Sequence, residues 1–381
     1  MAKKKILVLT DTLPWGHRSI ARAIYGFLKE KEPENDYEVV FREVKATTAM
    51  AIDVYVFSYR YMPASNRLLH RLSHRPMVRD LLEKSSRMNL PLLRKLINEL
   101  KPDLVISTYF FHTHSLARWR KEKNKKFGLW TVAADPWTIN PLSFIREADL
   151  TLVYDEKSVE EGLAAGLSRE QMLVTGWWTR QEMYRKYDYK ESRKKIGFED
   201  NRPVIFVGGG SLGTSALPKL LPLIMIIDKK VGLVINTGTD KLAYRMVERY
   251  KKMFERFGDN KNVKIVHLGW IENMAEVLSG CDIVLGKAGP NFLFDTIACQ
   301  KPFVAITHIG GQEDGNIELI KKKKLGWVKE KNKEIVDFVL SYLERPAYFE
   351  KKYKENIKKE ANKNKKTLPL ILKRIKKDFG C

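Results

Sequence analysis

Three stretches of this sequence combine residue types that move protons or hold phosphates. The first, Thr10-Asp11-Thr12-Leu13-Pro14-Trp15-Gly16-His17-Arg18-Ser19, follows an apolar run and leads into Ile20, Ala21, Ala23 and Ile24, spaced as one face of a helix. Gly16-His17 thus sets an imidazole between the carboxyl end of a strand and the amino end of a helix, the crevice where open α/β sheets bind ligands. An imidazole of ordinary pKa about 6.5 can take a proton from a hydroxyl there. The plainer reading is a helix-start residue that only hydrogen-bonds its loop. The second stretch, Val207-Gly208-Gly209-Gly210-Ser211-Leu212-Gly213-Thr214, is a strand turning into a glycine-rich loop. Without side chains at Gly209 and Gly210, and with Ser211 next, backbone N–H groups can approach a diphosphate. It lacks the Gly-Lys-Ser/Thr ending of a P-loop and the spaced acidic residue of a dinucleotide fingerprint, so a tight turn explains it equally well.

The third stretch runs from Gly286-Lys287-Ala288-Gly289-Pro290-Asn291 to Gly310-Gly311-Gln312-Glu313-Asp314-Gly315-Asn316. Ala288-Gly289-Pro290 is a turn at a strand end, Asn291 can cap the next helix, and Asp295 lies one turn into it. Gln312 and Glu313 fall in the following strand-to-helix loop. Amides and carboxylates on a glycine-exposed rim suit a ribose and a hexose, whose hydroxyls need both donors and acceptors.

These residues need a frame, and the sequence supplies two. Ile6–Thr10, Leu104–Ser107, Leu129–Val132, Leu150–Tyr154 and Leu173–Thr175 are apolar, β-branched runs separated by helical periodicity, the pattern of buried parallel strands. After a polar stretch ending at Pro203, a second series follows at Val204–Val207, Leu233–Asn236, Val263–Val266, Ile283–Leu285 and Phe303–Ile306. The fold class is α/β, two Rossmann-like doubly wound domains facing a central cleft. The predicted organisation is 1–176, a linker at 177–202, a second domain at 203–345, and Lys-rich terminal helices at 346–381. The length of 381 residues fits two domains at roughly 150 each.

Composition narrows the partners. A formal charge of +23 favours an anionic partner: a nucleic acid, an acidic membrane or a phosphate-bearing ligand. Cys281, Cys299 and Cys381 form no CxxC pair, which fits a reducing compartment and argues against a zinc site. Lys3-Lys4-Lys5 precedes an apolar run too short for an export signal, and no run approaches the roughly 20 residues that span a bilayer. The expected location is cytoplasmic, peripheral on the inner face of a membrane.

Lys287-Ala288-Gly289-Pro290 through Gly311-Gln312-Glu313-Asp314-Gly315-Asn316, together with Gly16-His17, resembles the GT-B glycosyltransferases of the monogalactosyldiacylglycerol synthase and diacylglycerol glucosyltransferase group. A more distant likeness is to the peptidoglycan lipid II N-acetylglucosaminyltransferase. The resemblance covers nearly the whole chain. It implies inverting transfer of a hexose from a UDP-sugar, held by the second domain, to a lipid acceptor such as diacylglycerol on the first. It gives Asp295 to the ribose, Gln312 and Glu313 to the sugar, Arg180 to the diphosphate, and the backbone of Gly269-Trp270-Ile271 to the uracil. His17 or Asp135 would take the acceptor proton. The chain departs from the group's pattern at Pro14-Trp15 before Gly16-His17, at Asn291 where glycine is common, at Asp295 where Glu is usual, and at Asn140-Pro141 where His-Pro is usual. No cofactor and no metal are expected, because no Asp-x-Asp pair or Cys/His cluster stands near the diphosphate residues.

Between Tyr59 and Lys95, Arg67, Arg71 and Arg75 interleave with Leu68, Leu69 and other apolar residues. Such a cationic, amphipathic stretch suits an anionic membrane surface, or else a solvated helix face. The Lys-rich tail comes with no RNA-binding module, which disfavours nucleic acid. Two other functions keep the same frame: a UDP-sugar 2-epimerase, and a non-catalytic basic protein binding lipid or nucleic acid through a decayed site.

Overall fold

The structure, a computed structural model, describes residues 3–13, 16–45, 63–208, 227–257 and 262–381. The chain divides into two compact units. One holds Met1–Gln181, Gly310–Gly315 and Lys363–Cys381, and the other Glu182–Ile309 and Asn316–Asn362. Among the described residues each unit is built on a parallel six-stranded sheet, so the two Rossmann-like α/β domains expected from the alternating runs are present.

In the first unit, β1 (Lys4–Asp11), β2 (Tyr37–Val44), β3 (Leu104–Ser107), β4 (Gly128–Val132), β5 (Leu150–Val153) and β6 (Met172–Val174) pair in the order β2-β1-β3-β4-β5-β6. Every residue of β3 and β5 is buried, as is β1 from Ile6 onward. A strand covered on both faces has no wet side to alternate with, which is why these segments read as continuous apolar runs. Helix α1 (Gly16–Lys31) returns from β1 to the sheet edge and buries Ile20, Ala21, Ala23, Ile24 and Leu28, one stripe at helical spacing. Helices α2 (Pro63–Ser73), α3 (Pro76–Ser85), α4 (Leu90–Leu100), α5 (Phe110–Glu122) and α6 (Glu156–Ala164) follow. Leu93 and Ile97 of α4 and Leu116 and Trp119 of α5 join Leu7, Leu9, Val105 and Leu129 in one core. Because β2 and β3 lie on opposite sides of β1, the strand order reverses there. A crevice therefore opens at the carboxyl ends of β1 and β3.

The second unit begins inside the stretch expected as a linker. Its first helix, α7 (Tyr189–Lys195), is capped by the Asp188 carboxylate, which accepts from the Glu191 amide at 2.9 Å. Arg193 in this helix is buried and pairs with buried Asp282 at 3.1 Å. Strands β7 (Val204–Gly208), β8 (Val231–Asn236), β9 (Val263–Leu268), β10 (Ile283–Lys287), β11 (Phe303–Thr307) and β12 (Gly326–Val328) pair in the order β12-β11-β10-β7-β8-β9. The reversal here falls between β7 and β10. Helices α8 (Lys241–Phe257), α9 (Met274–Ser279), α10 (Pro290–Ala298), α11 (Asp314–Lys323) and α12 (Asn332–Glu344) connect and cover these strands.

The chain ends in α13 (Pro346–Lys352), α14 (Lys354–Lys365) and α15 (Thr367–Phe379). In α14, Ile357 and Ala361 are buried, and from Asn364 on Leu368, Ile371 and Ile375 are buried, each set at helical spacing beneath exposed lysines. From Lys363 on, this segment belongs to the first unit: Asn364 Oδ1 accepts from the Trp177 amide at 3.0 Å, and the Thr367 hydroxyl donates to the Thr175 carbonyl at 2.7 Å. Among the described residues, no helix is long and apolar enough to cross a membrane.

Candidate active site

At the first reversal point, α1 begins five residues after β1 ends and so places His17 beside the end of β3. Its Nδ1 lies 2.7 Å from the carbonyl oxygen of Thr108. A carbonyl can only accept, so Nδ1 carries the proton and Nε2 keeps its lone pair. The Thr108 hydroxyl closes the arrangement, 3.0 Å from the His17 carbonyl and 2.9 Å from the Thr10 hydroxyl. Tyr109 and Phe110 present ring edges to the imidazole at 5.5 and 6.4 Å. Burial among these groups lowers the pKa of His17, only partly opposed by the Thr108 carbonyl, so the ring is neutral at physiological pH. This is a neutral imidazole held in one tautomer, with Nε2 left able to accept a proton. Thr108 had no signal in the sequence, because its part is played by a backbone carbonyl.

Two further titratable groups of this unit are buried. His112, in α5, faces the Val44 carbonyl through Nε2 at 3.1 Å, and burial pushes its pKa down to about 4. Asp11, the last residue of β1, is fully buried, and desolvation raises its pKa to about 7. The sequence reading passed over Asp11 as the end of an apolar run.

Asp135 is half-buried in the loop after β4. Several hydrogen bonds hold that loop: the Trp137 indole donates to Asp155 at 3.0 Å, and Glu161 accepts from the amides of Thr138 and Ile139 at 3.1 and 2.7 Å. Asn140 accepts from the Leu142 amide and donates to the Ser73 hydroxyl, both at 3.0 Å, so it anchors the loop to the end of α2. Arg180 is half-buried just beyond the buried Trp177 and Trp178, whose rings lie 5.2 Å apart and are tilted to one another.

In the second unit the reversal point is lined by glycine. Gly208 of β7 stands opposite Gly286 of β10, and a Cβ on either would come within 2.7 or 2.5 Å of the Phe292 ring. Small residues let that ring lie across both strand ends, which seats the start of α10 on the reversal point. Gly289 is the N-cap and Pro290 the first residue of this helix, a position that suits proline because its missing N–H would have no helical partner. Asn291 and Asp295 follow, both half-buried. The turn before them is braced by Asn316, whose side-chain amide donates to the Ala288 carbonyl at 2.8 Å. Gly269 and Ile271 follow β9 at the same carboxyl edge, where Asn236 donates to the Gly269 carbonyl at 2.6 Å and Trp270 is 70% exposed. Gln312, half-buried, and Glu313, buried, lie in the Gly310–Gly315 segment of the first unit. Gly209, Gly210 and Ser211 lie outside the described residues.

Among the membrane candidates, Arg67, Arg71 and Arg75 are exposed along α2 and at the start of α3, and Arg67 Nη2 lies 3.4 Å from Asp314 Oδ1. Leu68 is exposed, as are Met77 and Leu81 of α3, while the side chain of Leu69 falls outside the described residues. Among the described residues no group of three His, Cys, Asp or Glu side chains could hold a metal ion.

Comparison with known proteins places both halves. Residues 17–177 match the family model of monogalactosyldiacylglycerol (MGDG) synthase, and residues 204–374 that of the glycosyltransferase family 28 C-terminal domain. A probable monogalactosyldiacylglycerol synthase of Nicotiana tabacum is 24% identical over 351 residues, 89% of this chain and 64% of that protein. A processive diacylglycerol beta-glucosyltransferase of Staphylococcus carnosus is 21% identical, covering 88% of this chain and 84% of its own. The chain spans slightly less than two thirds of the length of the tobacco protein and of similar synthases from Glycine max and Arabidopsis thaliana. Anabaena HepE, solved with UDP and glucose, superposes with a TM-score of 0.60 at 15% identity over 99% of each chain, a likeness of fold. The chain thus carries an MGDG synthase domain followed by a glycosyltransferase family 28 C-terminal domain on a GT-B fold, and its relatives include monogalactosyldiacylglycerol synthases and a diacylglycerol glucosyltransferase.

Proposed function

We propose that this protein is an inverting glycosyltransferase that moves a hexose from a UDP-sugar to a lipid hydroxyl, such as that of diacylglycerol, at the cytoplasmic face of a membrane. The observation that carries the reading is the fixed tautomer of His17 at the first reversal point, with Nε2 left as a base. In the step proposed, Nε2 takes the proton of the acceptor hydroxyl, whose oxygen attacks the anomeric carbon opposite the diphosphate. The bond from that carbon to the diphosphate oxygen breaks, and UDP departs with the electron pair. Arg180, the N-terminus of α10 and the glycine loop after β7 would meet the charge on the leaving diphosphate, with no metal required. Three inter-strand spacings, roughly 14 Å, separate β9 from β10, which lets the Gly269 loop take the uracil while α10 takes the ribose and phosphates. Asp295 would accept from the ribose, and Gln312 and Glu313 from the hexose.

The deciding experiment is mass spectrometry of lipids after incubation with diacylglycerol, anionic liposomes and a panel of UDP-sugars. A hexosylated lipid is expected. Interconverted nucleotide sugars with unchanged lipid would indicate an epimerase, and no conversion of either would leave a binding protein. For the donor residues, calorimetry should show Asp295→Ala weakening UDP binding by about 1–3 kcal/mol, the cost of leaving hydroxyl partners unpaired. Unchanged affinity would remove α10 from the ribose site.

Exposed Leu68, Met77 and Leu81 beside exposed Arg67, Arg71 and Arg75 support membrane contact through α2 and α3. Each such arginine contributes about 1 kcal/mol near an anionic surface. Changing all three to Glu is expected to cut both co-sedimentation with anionic liposomes and lipid glycosylation, while UDP affinity stays as in the wild type. Equal sedimentation of the wild type on neutral and anionic liposomes would show these helices to be solvated faces only.

A further inference from the structure

Helix α8 of the second unit is apolar over more of its circumference than its contact with the core uses. Ala243, Val247, Tyr250 and Phe254, in steps of four, three and four, pack on the hydrophobic core of that unit. Leu242, Met246 and Met253 each stand one residue earlier and are exposed, and exposed Arg249 completes the same spacing. One residue turns a helix by roughly 100°, so an apolar ribbon runs in solvent along the flank of the buried stripe. Farther round the helix come Arg245, Lys252 and Arg256, all exposed. The carboxylates of this segment are engaged elsewhere. Glu248 pairs with His267 at 2.5 Å and Glu255 with Lys251 at 3.9 Å, while Asp240 accepts from the Leu242 and Ala243 amides, both at 3.0 Å. The loop after β9 adds Trp270, which is largely exposed. Its neighbour Gly269 lies against α8, since a Cβ there would stand 3.5 Å from the Tyr244 ring. Only the backbone of this loop is assigned to the uracil, which leaves the indole without a role.

We propose that this face of α8 is a second membrane-contacting surface, carried by the second unit, and that its partner is anionic phospholipid. Arg245, Arg249 and Lys252 meet the headgroup phosphates, Leu242, Met246 and Met253 enter the boundary with the acyl chains, and Trp270 lies at headgroup level. The choice of lipid as partner rests on the membrane reading above, and no step of sugar transfer enters it. The side chains themselves favour lipid over other anions. A nucleic acid would satisfy the cations and leave three aliphatic side chains in water. An apolar protein groove would take the aliphatic ribbon and strand the arginines that flank it. A lipid interface is charged at one level and apolar just below it, which is the order in which α8 presents its cations and its ribbon. The half of the chain proposed to hold the nucleotide is then itself held at the surface that supplies the acceptor.

The test is binding of the full-length protein, without donor or acceptor, to phosphatidylcholine vesicles with and without an equal share of phosphatidylglycerol. Changing Arg245, Arg249 and Lys252 together to Glu should weaken binding to the anionic vesicles by about tenfold or more, and should weaken it further in a chain that already carries Arg67→Glu, Arg71→Glu and Arg75→Glu. Met246→Gln with Met253→Gln keeps every charge, so it should lower the binding that persists at high salt, where headgroup attraction is screened. All these side chains are exposed, and melting temperatures should stay near that of the wild type. A nitrobenzoxadiazole label at Met246→Cys, with Cys299→Ser and Cys381→Ser, reads the contact directly. Its emission should shift to the blue on anionic vesicles and be quenched by lipid brominated along the acyl chain. If the α8 charge variant binds anionic vesicles as the wild type does, or the label keeps its solution spectrum on them, the inference fails while contact through α2 and α3 stands. A label that shifts to the blue without vesicles as protein concentration rises would show a second copy on this face and overturn the proposal. So would RNA binding that the charge variant loses while it keeps its vesicle binding. A wild type that binds neither kind of vesicle, or both equally, overturns this inference and the membrane reading together. Binding that depends on α8, in a protein that glycosylates no lipid, would support the inference and overturn the transferase reading.

Discussion

Replacing His17 with alanine is expected to lower kcat for lipid glycosylation by about 10²–10⁴-fold, the range for loss of a general base. UDP affinity should not change, because His17 is not among the residues proposed for the nucleotide, which are Arg180 and groups beyond β7. The prediction follows from geometry: the Thr108 carbonyl 2.7 Å from Nδ1 fixes which nitrogen can accept. Burial disfavours the imidazolium, so the acidic limb of the wild-type profile should lie below the usual histidine range of about 6.5. Steady-state rates in mixed micelles from pH 5 to 9 would check both points. A variant within threefold of the wild type would transfer the role of base to Asp135, the other candidate.

Arg193→Ala is expected to destabilise the second unit by about 3–5 kcal/mol, the cost of stripping one partner from a buried ion pair. Arg193 Nη1 reaches Asp282 at 3.1 Å and the Tyr189 hydroxyl at 2.6 Å, and Nη2 donates to the carbonyls of Asp200 and Arg202. Asp282 also accepts from the Val204 amide at 2.7 Å, the first residue of β7. Removing the guanidinium strands the carboxylate where the strand enters the sheet. Chemical denaturation followed by tryptophan fluorescence should show the loss. An apolar pair, Arg193→Met with Asp282→Leu, should recover much of it. A single-variant cost below about 1 kcal/mol would mean that water replaces the guanidinium and the pair is not truly buried.

The buried strands were readable because parallel strands covered on both faces leave unbroken apolar runs. The two strands outside those runs, β2 and β12, are sheet edges. β2 carries exposed Glu38 and Arg42 among its apolar residues, and β12 has only three residues. Both give too little apolar signal to stand out. His17 was readable because position alone, strand end before helix start, assigns it to the crevice. Asp11 was not, since a carboxylate at a strand end ordinarily faces water, and only the packed structure shows it sealed in. The polar stretch before Pro203 looked like a solvated linker for the same reason. Arg193 is buried by pairing with Asp282, 89 residues away, and no local pattern announces a partner at that distance.

The return of Lys363–Cys381 to the first unit shapes how this chain can be made. While the ribosome is still producing the second sheet, the Trp177 amide and the Thr175 carbonyl lack Asn364 and Thr367. Gly128 and Trp130 likewise lack the Phe379 ring that packs on them. At about 5–20 residues per second, the interval between residues 181 and 363 lasts on the order of ten seconds or more. The nascent first domain must wait through that interval with part of its apolar surface uncovered. Its completion is a late, long-range event that local helix formation cannot hasten, so shielding by a chaperone during synthesis should raise the yield of native protein.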